Sequence, residues 1–322
     1  MTTGGIEKFL KEEKCSFREA KVTPEDFKDI SAVFSEEPFP IFEQSPQHIL
    51  SYLKYDYRPI YTEAGCFRGV LLAAEKDAVI FSPFISNFES FLGFVSRLKD
   101  FFSVGEIKIQ NVSGDWLEKR KKDLSGIKHR IELRSKEEVV YDVPTVSHLQ
   151  GSGFANLRNA EKRLIQSGEL NFKDVEEKNL GDVLKVLEVW NETQGSKYEK
   201  KKKEKEKFTL EAFLGFKKIL GNRDLLFEAG YLNGNPVSIS LMHRSPLKRD
   251  WGIIYSVKGI NKPENKGAHG VSDATYIHCF KTASEWGLNF LNDGELGSEP
   301  GTRNHKLAFK PTMYLKSFDV FI

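Results

Sequence analysis

Apolar positions along the chain recur with two different periods, and the switches between them mark out the elements. Phe88, Phe91, Leu92, Val95, Leu98 and Phe102 fall three and four residues apart, which lines one face of a helix over 88–102. Ahead of it, short apolar runs at Pro59–Glu63, Cys66–Glu75 and Ala78–Phe84 are broken by Gly or charged turns and predict strands. Glu106–Val112 alternates as a strand, Gly114–Lys122 has the length of a short helix, and Ile131–Tyr141 is a further strand. Thr23-Pro24-Glu25-Asp26 starts a helix: a hydroxyl to cap, Pro at the first helical position, acids in the first turn.

The second half repeats that order. Val143–Ser167 is a long helical segment, and Glu169–Val175 a strand. Helices follow at Leu180–Glu192 and Leu210–Leu220, with the low-complexity Lys/Glu tract Lys197–Lys207 between them. Asp224–Leu232 and Val237–His243 flank Asn233-Gly234-Asn235-Pro236, and Asn-Gly between two apolar runs is a strong hairpin signal. Asp250–Val257 is a third strand, Ser272–Trp286 a helix, and Leu288–Asn292 and Tyr314–Phe321 the last strands. Leu288, Phe290 and Leu291 are apolar in so short a run that their strand is expected to be central. The expected architecture is mixed α/β (α+β), with one domain over 1–140 and a second over 141–322 that carries the chemistry.

At 322 residues the chain has the length of about two domains. Its 48 basic and 46 acidic side chains leave a net charge of +2, which argues against a dedicated nucleic-acid binder. Within the Lys/Glu tract, Glu199, Glu204 and Glu206 offset much of the charge of Lys200–Lys207, and between Lys200 and Lys207 no aromatic residue is interleaved for base stacking. A solvated segment is the reading for it. Three cysteines, scattered along the chain, supply neither a disulfide framework nor a zinc knuckle. His269, His278 and His305 lack metal-ligand spacing, so no metal is expected. The N-terminal stretch has no apolar core of a signal peptide, and no run approaches the ~20 apolar residues that cross a bilayer. A cytoplasmic protein is the expectation.

Two stretches carry a resemblance. Tyr141-Asp142-Val143 is followed by Leu149-Gln150-Gly151-Ser152-Gly153-Phe154-Ala155-Asn156-Leu157-Arg158-Asn159. Further on, Leu291-Asn292-Asp293-Gly294-Glu295-Leu296-Gly297 leads into Arg303-x-x-Lys306-x-x-x-Lys310-Pro311. These resemble the family of the C-terminal domain of phosphatidylglycerol lysyltransferases, which also has many soluble members as a domain of unknown function. The family often has Lys where this chain has Ser152. The resemblance implies two tandem GNAT-like acyltransferase domains, each with mostly antiparallel strands flanked by helices. It also implies transfer of an aminoacyl group from aminoacyl-tRNA, with tRNA as a partner, to a small-molecule, peptide or lipid-headgroup acceptor.

Candidate residues follow from that frame. Asp293 and Glu295, in a glycine-flanked turn past a strand end, are placed to hold a substrate ammonium or act as a base; a turn-capping role for Asp293 is equally open. Asn292, Arg303, Lys306 and Lys310 are candidates for binding the substrate or donor. Arg158, with Asn159, offers a fork that grips a carboxylate or phosphate, or a surface ion pair. Lys262–Gly270 stands where such a fold binds a cofactor pyrophosphate on backbone N–H groups, here through Gly267, Gly270 and the amide of Val271. Its frame Glu264-x-x-Gly267-x-His269 departs from the acetyl-CoA pattern Gln/Arg-x-x-Gly-x-Gly/Ala. Acyl-CoA is therefore the second donor to consider, and a non-catalytic small-molecule binding module on the same fold is the third reading.

Overall fold

A computed structural model describes residues 3–34, 40–42, 44–51, 58–73, 78–193, 201–221 and 223–322. The chain divides into two compact units, Met1–Glu137 with Leu315–Ile322, and Glu138–Tyr314.

The first unit contains α1 (Thr3–Glu12), β1 (Ser16–Glu19), α2 (Pro24–Val33), α3 (Pro46–Ser51), β2 (Arg58–Ala64), β3 (Phe67–Ala73), β4 (Ala78–Ile85), α4 (Phe88–Phe102), β5 (Lys108–Ser113) and α5 (Gly114–Ser125). β6 (Arg130–Asp142) runs across the division. The second unit holds α6 (Val143–Ser147), α7 (Ala155–Ser167), β7 (Leu170–Asp174), α8 (Leu180–Thr193), α9 (Lys201–Leu220), β8 (Leu225–Leu232), β9 (Asn235–Arg244), β10 (Trp251–Gly259), α10 (Val271–Glu285), β11 (Phe290–Glu295) and α11 (Pro300–Ala308). The final strand, β12 (Met313–Phe321), pairs with β5 and falls almost wholly in the first unit, where the sequence had suggested membership of the second.

Local chemistry accounts for several of these elements. Thr23 caps α2 by accepting the Asp26 N–H, and Pro24 opens the helix. Asn87 caps α4 in the same way through the Ser90 N–H, and the apolar stripe of that helix is buried at Phe88, Phe91, Phe94, Val95 and Leu98. Asn233 and Gly234 both take positive φ (50° and 80°), the pairing a two-residue hairpin loop needs, so β8 and β9 pair antiparallel across them. The segment read as one helix over 143–167 is two. Leu149 and Gly151 adopt left-handed backbone, the second with φ +89°, and a 3₁₀ turn at Ser152–Phe154 intervenes before α7. The start of the Lys/Glu tract lies outside the described residues; from Lys201 onward its backbone is the beginning of α9.

Strand order follows one plan in each unit. The first runs β1-β2-β3-β4-β5-β12, antiparallel except for the parallel pair β4–β5. The second runs β6-β11-β10-β9-β8-β7, antiparallel except for β10–β11. In each case a helix, α4 or α10, joins the two parallel strands, as a crossover requires. The first core gathers rings such as Phe9, Phe67, Phe91 and Phe94; Tyr141, Phe280 and Phe309 anchor the second. Full burial of each phenylalanine contributes about 1.5–3 kcal/mol, which is what fixes α10 and α11 against β11 and β6.

Candidate active site at the end of β11

β11 is central in its unit, as its apolar residues suggest. It pairs with β10 in parallel only through Trp251↔Phe290, Gly252↔Leu291 and Ile253↔Asn292. On its other side it pairs antiparallel with β6, and the register shifts between Asn292 and Glu295. Asp293 and Gly294 fall inside that shift, so the strand end kinks away from its ladder; Gly294 takes φ +65° there. The Asn292 side chain locks the kink. Its Oδ1 accepts the Gly294 N–H at 2.7 Å, and its Nδ2 donates to Glu138 Oε2 at 2.8 Å. Asn292 and Glu138 are both buried.

Asp293 is buried as well, and its carboxylate meets two partners. The Tyr276 hydroxyl lies 3.3 Å from each of its oxygens, and Lys306 Nζ lies 3.3 Å from Oδ2. Lys306 also donates to the backbone carbonyls of Asp293 and of Glu295, the latter at 2.9 Å. An ammonium has three hydrogens, and these three acceptors account for them all. Lys306, expected to bind a substrate anion, is committed within the protein. Tyr141 adds a bond from its hydroxyl to the Lys306 carbonyl at 3.2 Å. Burial pushes the Asp293 carboxyl above its ordinary value, and the Lys306 charge opposes the rise. The Tyr276 and Tyr141 hydroxyls are held well above theirs, first by burial and then by the Asp293 charge.

The network continues one helical turn along α10. His305 Nδ1 stands 3.1 Å from Asp273 Oδ1, and its ring meets Tyr276 edge-on at 4.7 Å and Phe309 at 5.3 Å. Sequence reasoning missed Glu138, Tyr141, Asp273, Tyr276 and His305 as site residues. Only the spacing of Asp273 and Tyr276, three apart on one helix face, could have joined two of them.

The other expected residues are placed differently. Glu295, Asn159, Arg303 and Lys310 are exposed. Lys310 takes left-handed backbone (φ +55°), and its side chain runs beside Gly153, where an added Cβ would stand 3.3 Å from Lys310 Cε. Arg158 donates to the carbonyls of Leu149 and Gly151, the latter at 2.8 Å, so one of its nitrogens holds the turn between α6 and α7. Through Gly153 the structure thus brings Lys310 to the Gly-rich turn that Arg158 ties down.

No family model and no curated protein matches the chain. Solved structures do. A conserved protein of unknown function from Bacteroides thetaiotaomicron superposes with TM-score 0.77 at 14% identity, over 95% of this chain and 99% of that one. The C-terminal domain of a lysylphosphatidylglycerol synthetase from Agrobacterium fabrum gives 0.59 at 13% identity, over 92% and 91%. A tandem GNAT protein from the clavulanic acid biosynthesis pathway gives 0.51 at 8% identity, over 95% and 98%. The chain has the tandem GNAT fold.

In a GNAT frame the segment before α10 is the place for a cofactor pyrophosphate, and here the chain fills much of it with its own groups. The Gly267 N–H donates to the Lys262 carbonyl at 3.2 Å and the Val271 N–H to the Ala268 carbonyl at 3.2 Å. The Ser272 N–H is taken by Asn261 Oδ1 at 3.1 Å. Asp273 sets a carboxylate in the first turn of α10, satisfying the positive end of the helix dipole that a phosphate would otherwise meet. Gly267 is required by packing: a Cβ there would stand 1.8 Å from the Ile260 carbonyl oxygen. Gly270 caps α10 with φ +92°, a conformation suited to glycine. Among the described residues no group of His, Cys, Asp and Glu could hold a metal ion, and no helix is long and apolar enough to cross a membrane.

Proposed function

We propose that this protein is an aminoacyl transferase that moves an aminoacyl group from the ester of an aminoacyl-tRNA to an amine or hydroxyl acceptor, and that it works in the cytoplasm, where charged tRNA is made. The observation that carries the reading is the end of β11. There the parallel pair stops, a bulge opens the strand, and its acidic end, Asp293–Glu295, is clamped by Lys306 beside the exposed cations of α11 and its end. The likeness to the lysylphosphatidylglycerol synthetase domain supports the same reading.

Roles divide by exposure. Glu295 faces solvent at the strand end and is the group to hold the substrate ammonium. Arg303, Lys310 and the outer edge of Arg158 supply positive charge for the phosphates of the tRNA 3′ end, and Asn159 lies on the same α7 surface. Asp293, Asn292 and Lys306 set the geometry of the bulged strand end, where the sequence had suggested a turn past the strand. Such transfer needs positioning, donors for the tetrahedral oxyanion and a path for one proton, more than it needs a special nucleophile. The acyl-CoA reading is favoured less, because the Gly267 and Val271 amides already have acceptors within the chain.

The test is direct. The protein is incubated with a mixture of aminoacyl-tRNAs and a small-molecule extract, and loss of each 3′-ester is followed by mass spectrometry. Acceptor-dependent consumption of one or a few aminoacyl-tRNAs is expected. Consumption of acetyl-CoA instead, with no loss of any ester, would replace the reading with the CoA one. Saturable binding of small amines without any turnover would favour the binding module.

A further inference from the structure

Beside the Asp293–Lys306 clamp lies a second pair of groups to which the reading above gives no role. Asp273, in the first turn of α10, meets His305 Nδ1 at 3.1 Å. The far nitrogen of the same ring, Nε2, is buried and has no hydrogen-bond partner. The side chain as a whole is 24% exposed and that of Asp273 28%, so the pair lies near the surface and Nε2 itself sits under a cover that an arriving acceptor has to displace. Tyr276 and Phe309 grip it edge-on from two sides, so its orientation is fixed by packing as well as by the carboxylate. A carboxylate on Nδ1 selects the tautomer whose Nε2 carries a bare lone pair. A buried acceptor without a donor carries a desolvation penalty that a donor arriving from a ligand would relieve.

We propose that His305 is the general base of the transfer reaction and that Asp273 is its positioning residue. The proposal rests on the acyl-transfer reading. With the cover over Nε2 displaced, the acceptor's N–H or O–H donates to Nε2, and its lone pair forms the bond to the acyl carbonyl carbon as its proton moves to Nε2. The carbon–oxygen bond to the donor ribose then breaks, and the leaving oxygen takes that proton from the imidazolium. Asp273 accepts the Nδ1–H throughout and stabilises the imidazolium while it exists. The charges around the ring are consistent with this cycle. Asp273 faces it from α10 and the Asp293 charge acts on it from β11, while α11 itself contributes Lys306, already bound to Asp293.

Two measurements test the proposal and separate it from the reading beneath it. In ¹⁵N NMR of the wild-type protein, His305 should show a protonated Nδ1 and a bare Nε2; a proton fixed on Nε2 in the neutral ring overturns the proposal whether or not a donor is found. With the aminoacyl-tRNA that the wild type consumes, His305→Gln should lose about 10²–10⁴-fold in kcat, the range of general base catalysis. The acid limb of the pH–rate profile should vanish with it. Asp273→Asn should lower kcat with little change in KM, and Asp273→Glu should recover part of the loss. Full activity in His305→Gln overturns the proposal. If the wild type consumes no aminoacyl-tRNA, the transfer reading itself has failed; a bare Nε2 would still support the pair as a base, and a protonated one would overturn it.

Discussion

The clearest lesson at the scale of single residues is Lys306. In sequence it is one of three cations in Arg303-x-x-Lys306-x-x-x-Lys310, and nothing in the spacing separates it from the other two. In the structure it is 8% exposed and fully bonded, whereas Arg303 and Lys310 are at the surface. Removing its charge leaves a buried carboxylate and two carbonyls without their donor. Lys306→Met should cost about 3–5 kcal/mol, the cost of breaking a buried pair from one side, read by urea unfolding. Adding Asp293→Leu should return a good part of that loss; a double variant no better than the single would show that the pair is not the reason. Asp293 also makes a prediction in pH. Its carboxyl is raised above the ordinary value by burial, so the folded protein binds the proton more readily than the unfolded chain. Stability from this group therefore rises as pH falls through the interval between the raised and the ordinary value. Thermal unfolding of wild type and Asp293→Asn, compared from pH 7 downward, should show the wild type gaining on the variant; a wild-type stability that stays constant or falls relative to the variant contradicts the assigned direction.

Elements were legible where periodicity is long and uninterrupted. The stripe Phe88 to Phe102 gives the observed span of α4, and Asn233-Gly234 gives the turn between β8 and β9. Legibility fails where a helix is short or begins on residues that also signal loops. α11 starts at Pro300-Gly301, runs for nine residues, and carries Arg303, His305 and Lys306, so missing it meant missing how those side chains divide between interior and surface. α1, with Gly4 and Gly5 in its first turn, was hidden in the same way. The break at Leu149 and Gly151 was invisible because a leucine gives no sign of left-handed backbone. The segment before α10 makes a prediction of its own. Gly267 reads in sequence as a phosphate-loop glycine, yet its neighbour is the Ile260 backbone at a distance no Cβ tolerates. Gly267→Ala should destabilise the protein by roughly 1–3 kcal/mol, as overpacking does, measured by urea unfolding. A variant as stable as wild type would mean that the glycine is free of that packing.

At the scale of the whole molecule, the sequence carries the repeat of helix, antiparallel strands, helix and strand twice over, and the structure shares its fold with tandem GNAT proteins. What the linear pattern does not carry is which unit the last strand joins, because strand partners far apart in sequence leave no periodic trace. Strand β12 pairs with β5, at Ser317↔Ser113, Phe318↔Val112 and Val320↔Ile109, some two hundred residues away. Val320 is fully buried in the first core, and Asp319 accepts the Asn111 N–H while pairing with Lys108 and Arg134. A chain ending at Tyr314 keeps α11, Lys306 and every residue placed at the β11 end, but leaves β5 with an open edge and the half-exposed Lys108 and Arg134 without their carboxylate. Such a truncation should therefore damage the half of the sequence farthest from the cut. Hydrogen exchange should show loss of protection in β5 and α4, with β8, β9 and α10 retaining theirs. Loss confined to 138–314, or an unchanged pattern throughout, would mean that the last strand does not complete the first unit.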